Sequence, residues 1–375
     1  VIQAVKQSSS QAVKQSSSQA VKQSSIKESG CQVRIKSIDY LRGIMALAVV
    51  IYHFTLWTTN SMDSGTILGK LGIYAVSIFF IISGMSMYLA YRDFTWNKKG
   101  ILIFIAKRYL RLFPAFFVAC MTVVIGAKIL GAEHSFSFKT ILLNITLLFG
   151  VFSPSEYITV GGWSIGCEVV FYLLLPFILA FKRKGILIAL LVSAIVFLYF
   201  SFIKMTPNSN LESQWKTYIS PLDQFLFFTM GIATAFYRTK LNLTLKKSLL
   251  TLFVSCFAFY IYPSTGDLIE IITGYNRLIL TIICGILCFA VININISFKY
   301  ENILKFFGDI SYTIYMFHGV ISTVFMLILD RLGINNLNER LLLLLGINLP
   351  IIIISSYIFY IFIEKPFMRI SKKLI

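Results

Sequence analysis

Apolar runs separated by short basic clusters dominate the chain from residue 40 onward. They lie near 40–57, 71–91, 109–130, 163–181, 185–203, 221–237, 248–262, 276–297, 309–329 and 341–363. A helix that crosses a bilayer takes about 17–25 residues, so 248–262 is slightly short and the further run 139–152 shorter still. The clusters Lys27/Arg34/Lys36, Arg92/Lys98/Lys99/Lys107/Arg108, Lys182/Arg183/Lys184, Arg238/Lys240/Lys246/Lys247, Lys299/Lys305 and Lys365/Arg369/Lys372/Lys373 fall between the runs. Basic residues collect on the cytoplasmic side. Ten crossings with both termini cytoplasmic put every cluster there, whereas counting 139–152 as an eleventh would put Lys182–Lys184 outside. That segment is therefore expected to be re-entrant or to lie along the outer surface. The pattern predicts an all-α fold, a polytopic transmembrane helix bundle of about ten spans.

Composition points the same way. Of 375 residues, 57% are hydrophobic and 13% charged, with mean hydropathy +0.79, against about 45–50% and 25% for a soluble domain. This excludes an ordinary cytosolic enzyme and a disordered chain. The formal net charge of +18 belongs to the loop clusters and sets orientation in the lipid bilayer. It does not mark a nucleic-acid partner. The six cysteines are scattered without a CxxC pair, and Cys284 and Cys288 alone make a poor metal site. No metal is expected.

The N-terminal stretch differs in kind. Residues 3–25 repeat Gln-Ala-Val-Lys-Gln-Ser-Ser-Ser nearly three times, and residues 1–36 are expected to form a low-complexity, disordered tail ahead of a membrane domain at 37–375. Three copies of the DNA unit CAAGCAGT read as CAA GCA GTC AAG CAG TCA AGC AGT, which encodes this peptide. Eight is not a multiple of three, so gain or loss of one copy shifts the reading frame. The expectation is phase-variable expression by slippage. The chain opens on Val1, so the start codon is expected upstream.

Ionisable groups inside spans cost about 2.5–3.5 kcal/mol each on insertion scales and are functional candidates by default. His53 lies in the first run, Glu168 in the fourth and His318 in the ninth; Arg42, Arg108, Arg111 and Asp309 lie near inner ends. His53 is eleven residues, about 16 Å, beyond Arg42, and Glu168 about 8 Å below the outer end of its run. The two are expected to meet in one plane, a carboxylate orienting an imidazole for general-base work. The arginines are expected at the inner mouth, clamping phosphates. Each has a plainer reading: a packed histidine, or an arginine anchoring a helix end by snorkelling. His134, beside Glu133, reads as a solvated loop residue. Cys167 faces away from its neighbour Glu168 and is not a nucleophile.

Several of these residues fall in recognisable motifs. Ile38-Asp39-Tyr40-Leu41-Arg42-Gly43-Ile44, with His53 completing R-x10-H, resembles the opening helix of the acyltransferase-3 family of membrane proteins. Arg108-x2-Arg111-Leu112-Phe113-Pro114 resembles its second basic motif. Trp163-Ser164-Ile165-x2-Glu168-x2-Phe171-Tyr172 is similar to its W-S-L-x-x-E-x-x-F-Y element, with Ile165 for the usual Leu. Gly308-Asp309-Ile310-Ser311-Tyr312, through Tyr315 to His318, resembles its G-x-x-S-Y-x-x-Y-x-x-H segment, and Glu364-Lys365-Pro366 its closing E-x-P.

The resemblance implies an acyltransferase of the bacterial inner membrane. It would move an acetyl group from cytoplasmic acetyl-CoA to a hydroxyl of an exported surface glycan such as O-antigen, lipopolysaccharide or capsule. It implies that His53 is the catalytic histidine, that Glu168 supports it or the acceptor, and that Arg42, Arg108 and Arg111 hold donor phosphates or shape the site. Asp39, Trp163, Asp309, Ser311, Tyr312 and His318 carry over as site-shaping positions, with hydroxyls such as Ser311 or Tyr312 offered to an oxyanion. Some members add a hydrolase-like domain after the last span. None follows here up to Ile375, so acceptor handling is expected of the membrane domain. The rival reading is a transporter or flippase for a glycan or lipid-linked precursor, with Glu168 and His53 as a proton relay. No inverted repeat or Gly/Pro-broken helix pair supports it.

Overall fold

In lipid every backbone N–H and C=O must be satisfied within the chain, so apolar runs of this length become helices. The computed structural model describes residues 35–131, 136–238, 240–241 and 243–374. The repeats, Glu133 and His134 lie outside them. All ten apolar runs are helical: α1 (Lys36–Thr59), α2 (Ile67–Tyr91), α3 (Lys98–Ile129), then, after two short helices α4 (Phe138–Ile145) and α5 (Phe149–Phe152), α6 (Gly162–Ala180), α7 (Lys182–Lys204), a short α8 (Leu211–Tyr218), α9 (Pro221–Tyr237), α10 (Leu245–Ile261), α11 (Gly274–Asn293), α12 (Glu301–Arg331) and α13 (Leu337–Lys372). No strand occurs among the described residues.

Eight of these helices are long and apolar enough to cross a membrane. A ninth is added if α8 and α9, bent by 64° at their break, form one span. The expected ten runs include α9 and α10, which hold 17 residues each, at the short end of what crosses a bilayer. The 139–152 run splits into α4 and α5 at Leu147, whose left-handed backbone (φ 61°) ends the first helix. Neither piece is long enough to cross.

Side-chain caps start many helices. Thr66, Asn97, Ser137, Asn210 and Thr244 each accept a hydrogen bond from a first-turn N–H, satisfying donors that lipid cannot. Pro114 and Pro176 sit inside α3 and α6, as packed membrane helices tolerate. The residues left exposed on α7 and α10, such as Ile188, Leu191, Ile195, Phe253 and Phe257, would be an aggregation hazard in water and are lipid-facing here.

Loops gather at two ends. At one, the Asp63 carboxylate accepts from the N–H of Gly65 (2.7 Å) and Gly266 (2.8 Å), which holds it below the usual carboxylate range. The N–H of Leu211 meets Asp267 (2.8 Å), and Trp215 Nε1 donates to the Tyr157 hydroxyl (2.8 Å). At the other, Lys36 pairs with Glu301 (3.2 Å), Arg42 with Asp39 (3.2 Å) and Arg111 with Glu364. The loops expected to face outward therefore contact one another.

The packing that matters for the site is α1 against α12. A Cβ built on Gly43 would lie 2.8 Å from the Gly308 nitrogen and the Phe307 carbonyl carbon, and one on Gly308 2.5 Å from the Asp39 oxygen. The backbones cross in near contact, as small residues allow between membrane helices. Ten residues further along both helices His53 meets His318. The two helices are therefore parallel and in register over about 15 Å. Gly43→Ala is expected to force them apart and cost about 1–3 kcal/mol by overpacking. Gly126→Ala, where a Cβ would meet nothing within 4 Å, should be neutral. Thermal unfolding of both variants in detergent measures the difference, and equal midpoints would contradict the close crossing.

Candidate active site

Three residues one turn apart on α12, Tyr312, Tyr315 and His318, face three different helices. Tyr312 lies under the Arg111 guanidinium of α3 (5.5 Å) and donates to the Leu112 carbonyl (2.6 Å). The hydroxyl of Tyr315 meets that of Ser164 on α6 (2.9 Å), and both reach the Gly161 carbonyl. Gly161 caps α6 at φ +75°, and a Cβ there would strike the Tyr315 ring at 2.9 Å, so glycine serves both the turn and the contact. His318, fully buried, reaches His53 of α1.

The histidine pair is tightly specified. His53 Nδ1 lies 3.0 Å from the Val49 carbonyl and 3.2 Å from His318 Nε2, and His318 Nδ1 lies 2.8 Å from the Tyr315 carbonyl. The two rings are 5.0 Å apart and tilted by 38°. Trp57, one turn beyond His53 along α1, packs against both, 5.1 Å from the His53 ring and 6.2 Å from that of His318. His53 is half-buried.

Glu168 does not join this pair. Its carboxylate accepts from the Tyr172 hydroxyl (2.8 Å), which also contacts Ser83 (3.1 Å). Among the described residues no hydrogen bond or ion pair links it to His53. Ser164 is level with Tyr315; Glu168 lies four residues from the first towards the end that holds Arg42, His318 three residues from the second towards the end that holds Asp63. At 1.5 Å per residue the levels differ by about 10 Å. The expectation that they meet placed the start of α6 at the outer surface. Instead Thr159, Gly161 and Gly162 are already buried, so the helix begins inside the bundle and carries Glu168 deeper.

The arginines do gather: Arg42 and Arg108 are near enough to Arg111 to act on it electrostatically. Their partners differ. Arg42 is held by Asp39 and Ser86 (both 3.2 Å), and Arg111 pairs with the buried Glu364. Arg108 reaches the Tyr91 hydroxyl (3.3 Å) and lies over the rings of Tyr91 and Tyr172. It has no carboxylate partner among the described residues, and its buried Nε has no hydrogen-bond acceptor.

Ser311, Tyr312 and Trp163 take packing or backbone roles. The Ser311 hydroxyl donates to the Gly308 carbonyl (2.9 Å). With Tyr312 committed to Leu112, neither proton is free for an oxyanion. Trp163 packs edge-on against Phe80 and Trp215 near the start of α6. Asp309 is half-buried beside the Gly43–Gly308 crossing. Cys167 is buried and directed at the Ile219 carbonyl (3.5 Å), away from the histidines. Cys284 and Cys288 are buried and free.

Four further charged residues are buried at the ends of apolar runs. Arg277 and Asp223 form a fully buried bidentate pair (2.9 and 2.7 Å), with Phe197 4.3 Å beneath the guanidinium. Lys70, also buried, donates to the Tyr260 and Tyr262 carbonyls at the C-terminus of α10 (3.1 and 2.6 Å), where a cation suits the helix dipole. Glu364 appears in a motif, but nothing in the motif names its partner. The signal for Asp223 and Arg277 was their mutual isolation, one charge of each sign at the start of two apolar runs.

A family model described as an acyltransferase domain matches residues 35–362. The chain is similar to nodulation protein 10 of Rhizobium leguminosarum bv. viciae, 26% identical over 224 residues, which are 54% of this chain and 59% of that protein. It is equally similar to acyltransferase MdmB of Streptomyces mycarofaciens, 26% identical over 227 residues, 54% of this chain and 57% of the relative. Each match thus spans under two thirds of the relative's length. No solved structure matches the chain.

Proposed function

The chain belongs to the acyltransferase-3 family of membrane proteins, and from that premise we propose that it transfers an acetyl group from cytoplasmic acetyl-CoA to a hydroxyl of an exported surface glycan in the bacterial inner membrane. One observation carries the reading. A half-buried histidine lies about 16 Å along α1 from a group of arginines, and one of these, Arg108, has no carboxylate partner among the described residues. Donor phosphates complete that arginine group, and the thiol arm runs along the bundle interior towards His53. Glu168 lies between the two levels, where its carboxylate accepts hydrogen bonds from the amides of that arm.

His53 takes the proton of the acceptor hydroxyl as its oxygen attacks the thioester carbonyl. The carbon–oxygen bond forms, the carbon–sulfur bond breaks, and the CoA sulfur leaves with the proton that His53 returns. The acceptor approaches past Trp57, on the outward side of the histidines.

Comparing the mass of the surface glycan with the gene intact, deleted, and carrying His53→Ala tests the reading. Loss of one acetyl increment in both altered strains is expected. An unchanged glycan in all three would overturn the acceptor assignment and favour transport. The donor side has its own check. Arg108→Ala should raise KM for acetyl-CoA about tenfold to a hundredfold, the worth of a charge-assisted hydrogen bond. The KM for acetyl-pantetheine, which lacks the nucleotide phosphates, should stay unchanged. The eight-residue repeats at 3–25 add a regulatory proposal: slippage in their octanucleotide tract switches the enzyme on and off, and mixed synonymous codons in the gene would exclude it.

A further inference from the structure

The histidine pair has a single consistent arrangement of protons. A carbonyl oxygen only accepts, so the proton on His318 is at Nδ1, 2.8 Å from the Tyr315 oxygen. In the neutral ring that leaves a lone pair on His318 Nε2. His53 Nδ1 then faces two acceptors, this nitrogen at 3.2 Å and the Val49 oxygen at 3.0 Å, and donates one proton to both in a three-centre bond. What remains is His53 Nε2, the one ring nitrogen of the four with no hydrogen-bond partner among the described residues.

We infer that His318 is a positioning residue, which together with the Val49 carbonyl holds His53 in its Nδ1–H tautomer and so makes Nε2 the basic atom of the site. The contribution of Val49 is local, four residues back in the same helix. That of His318 comes from α12 and fixes the ring against a second helix, in register through the Gly43–Gly308 crossing. The arrangement also needs no change during reaction. When His53 gains a proton at Nε2, its Nδ1–H still donates to His318, and His318 Nδ1–H still donates to Tyr315. The new cation meets a lone pair and two carbonyl dipoles already in place. A neutral imidazole here occupies the position that a carboxylate takes in hydrolytic triads, which accords with the lack of any contact between Glu168 and His53.

The consequence for rate rests on the acyl-transfer reading, whereas the geometry does not. The test therefore has two independent arms. The sequence has three histidines, so the full chain labelled with ¹⁵N-histidine in lipid nanodiscs gives three rings, assigned by removing one histidine at a time. Both His53 and His318 are expected as Nδ1–H tautomers, the less common form of a free imidazole. An Nε2–H form of His53 would overturn the inference, whatever reaction the protein carries out. In the second arm His318→Leu removes the acceptor, and His318→Gln offers an amide oxygen in its place. The leucine variant is expected to lose about a hundredfold in kcat with KM for acetyl-CoA unchanged, and the glutamine variant to recover about tenfold of that loss. A leucine variant as fast as wild type, or a glutamine variant no faster than leucine, would refute the positioning role. Should a variant fail to fold, the wild-type tautomers still decide the matter. A wild-type protein without turnover would count against the function alone.

Discussion

Replacing His53 by alanine is expected to lower kcat for acetyl transfer by about 10²–10⁴-fold, the usual contribution of a positioned base, with donor KM close to wild type. The separation of effects follows from depth. His53 lies in the outer half of α1, about 16 Å from Arg42, so its loss leaves the arginine end and the docking of the nucleotide untouched. The alanine side chain removes no buried partner of a charge, and His318 keeps its bond to the Tyr315 carbonyl. Steady-state CoA release by protein in nanodiscs, with size-exclusion to confirm folding, gives both constants. A folded His53→Ala protein with wild-type kcat would remove the chemistry from this residue. A variant with unchanged kcat but a raised donor KM would reassign His53 to binding.

The second large effect is expected far from that chemistry. Asp223→Ala strands Arg277, whose side chain is 2% exposed, without its counter-charge. Breaking a buried pair by removing one partner costs about 3–5 kcal/mol. Here the penalty is at the high end of what a single substitution does, because the guanidinium is enclosed by Phe197, Ser201 and Tyr218 and has no path to water. Removing both charges with Asp223→Leu and Arg277→Leu should recover most of the loss, since a buried pair is often no better than apolar residues of similar volume. Thermal unfolding of the single and double variants distinguishes the cases. A single variant as stable as wild type would show that Arg277 finds another partner.

Much of the fold was legible in the linear pattern because lipid imposes a one-dimensional rule. A run of apolar residues long enough to cross must be a helix, and each of the ten runs became one. The count of crossings was less legible, because the length of a short helix, as at α9 and α10, is set by where a loop lets the chain turn. The bend between α8 and α9 leaves no mark in hydropathy.

The site divides along the same line. His53, His318 and the three arginines were legible because each ionisable group among apolar neighbours costs free energy and so carries a reason for being there. Their pairing was not. Depth along a run follows from residue number only if the end of the helix is at the surface. The buried start of α6 carried Glu168 about 10 Å deeper than His53. The partner of His53 is instead 265 residues away, placed there by two glycines that let α1 and α12 touch. In the same way Asp223 found Arg277, and Arg111 found Glu364, across unrelated segments.

The linear sequence thus determined which residues leave water and which ionisable groups do so at a cost, because transfer into lipid is a property of each residue and its near neighbours. Only the tertiary structure decided which charges neutralise one another and, among the described residues, which arginine lacks a carboxylate and which histidine nitrogen lacks a hydrogen bond. Those depend on helix register and on where each helix begins, which are set by contacts between segments far apart in the chain.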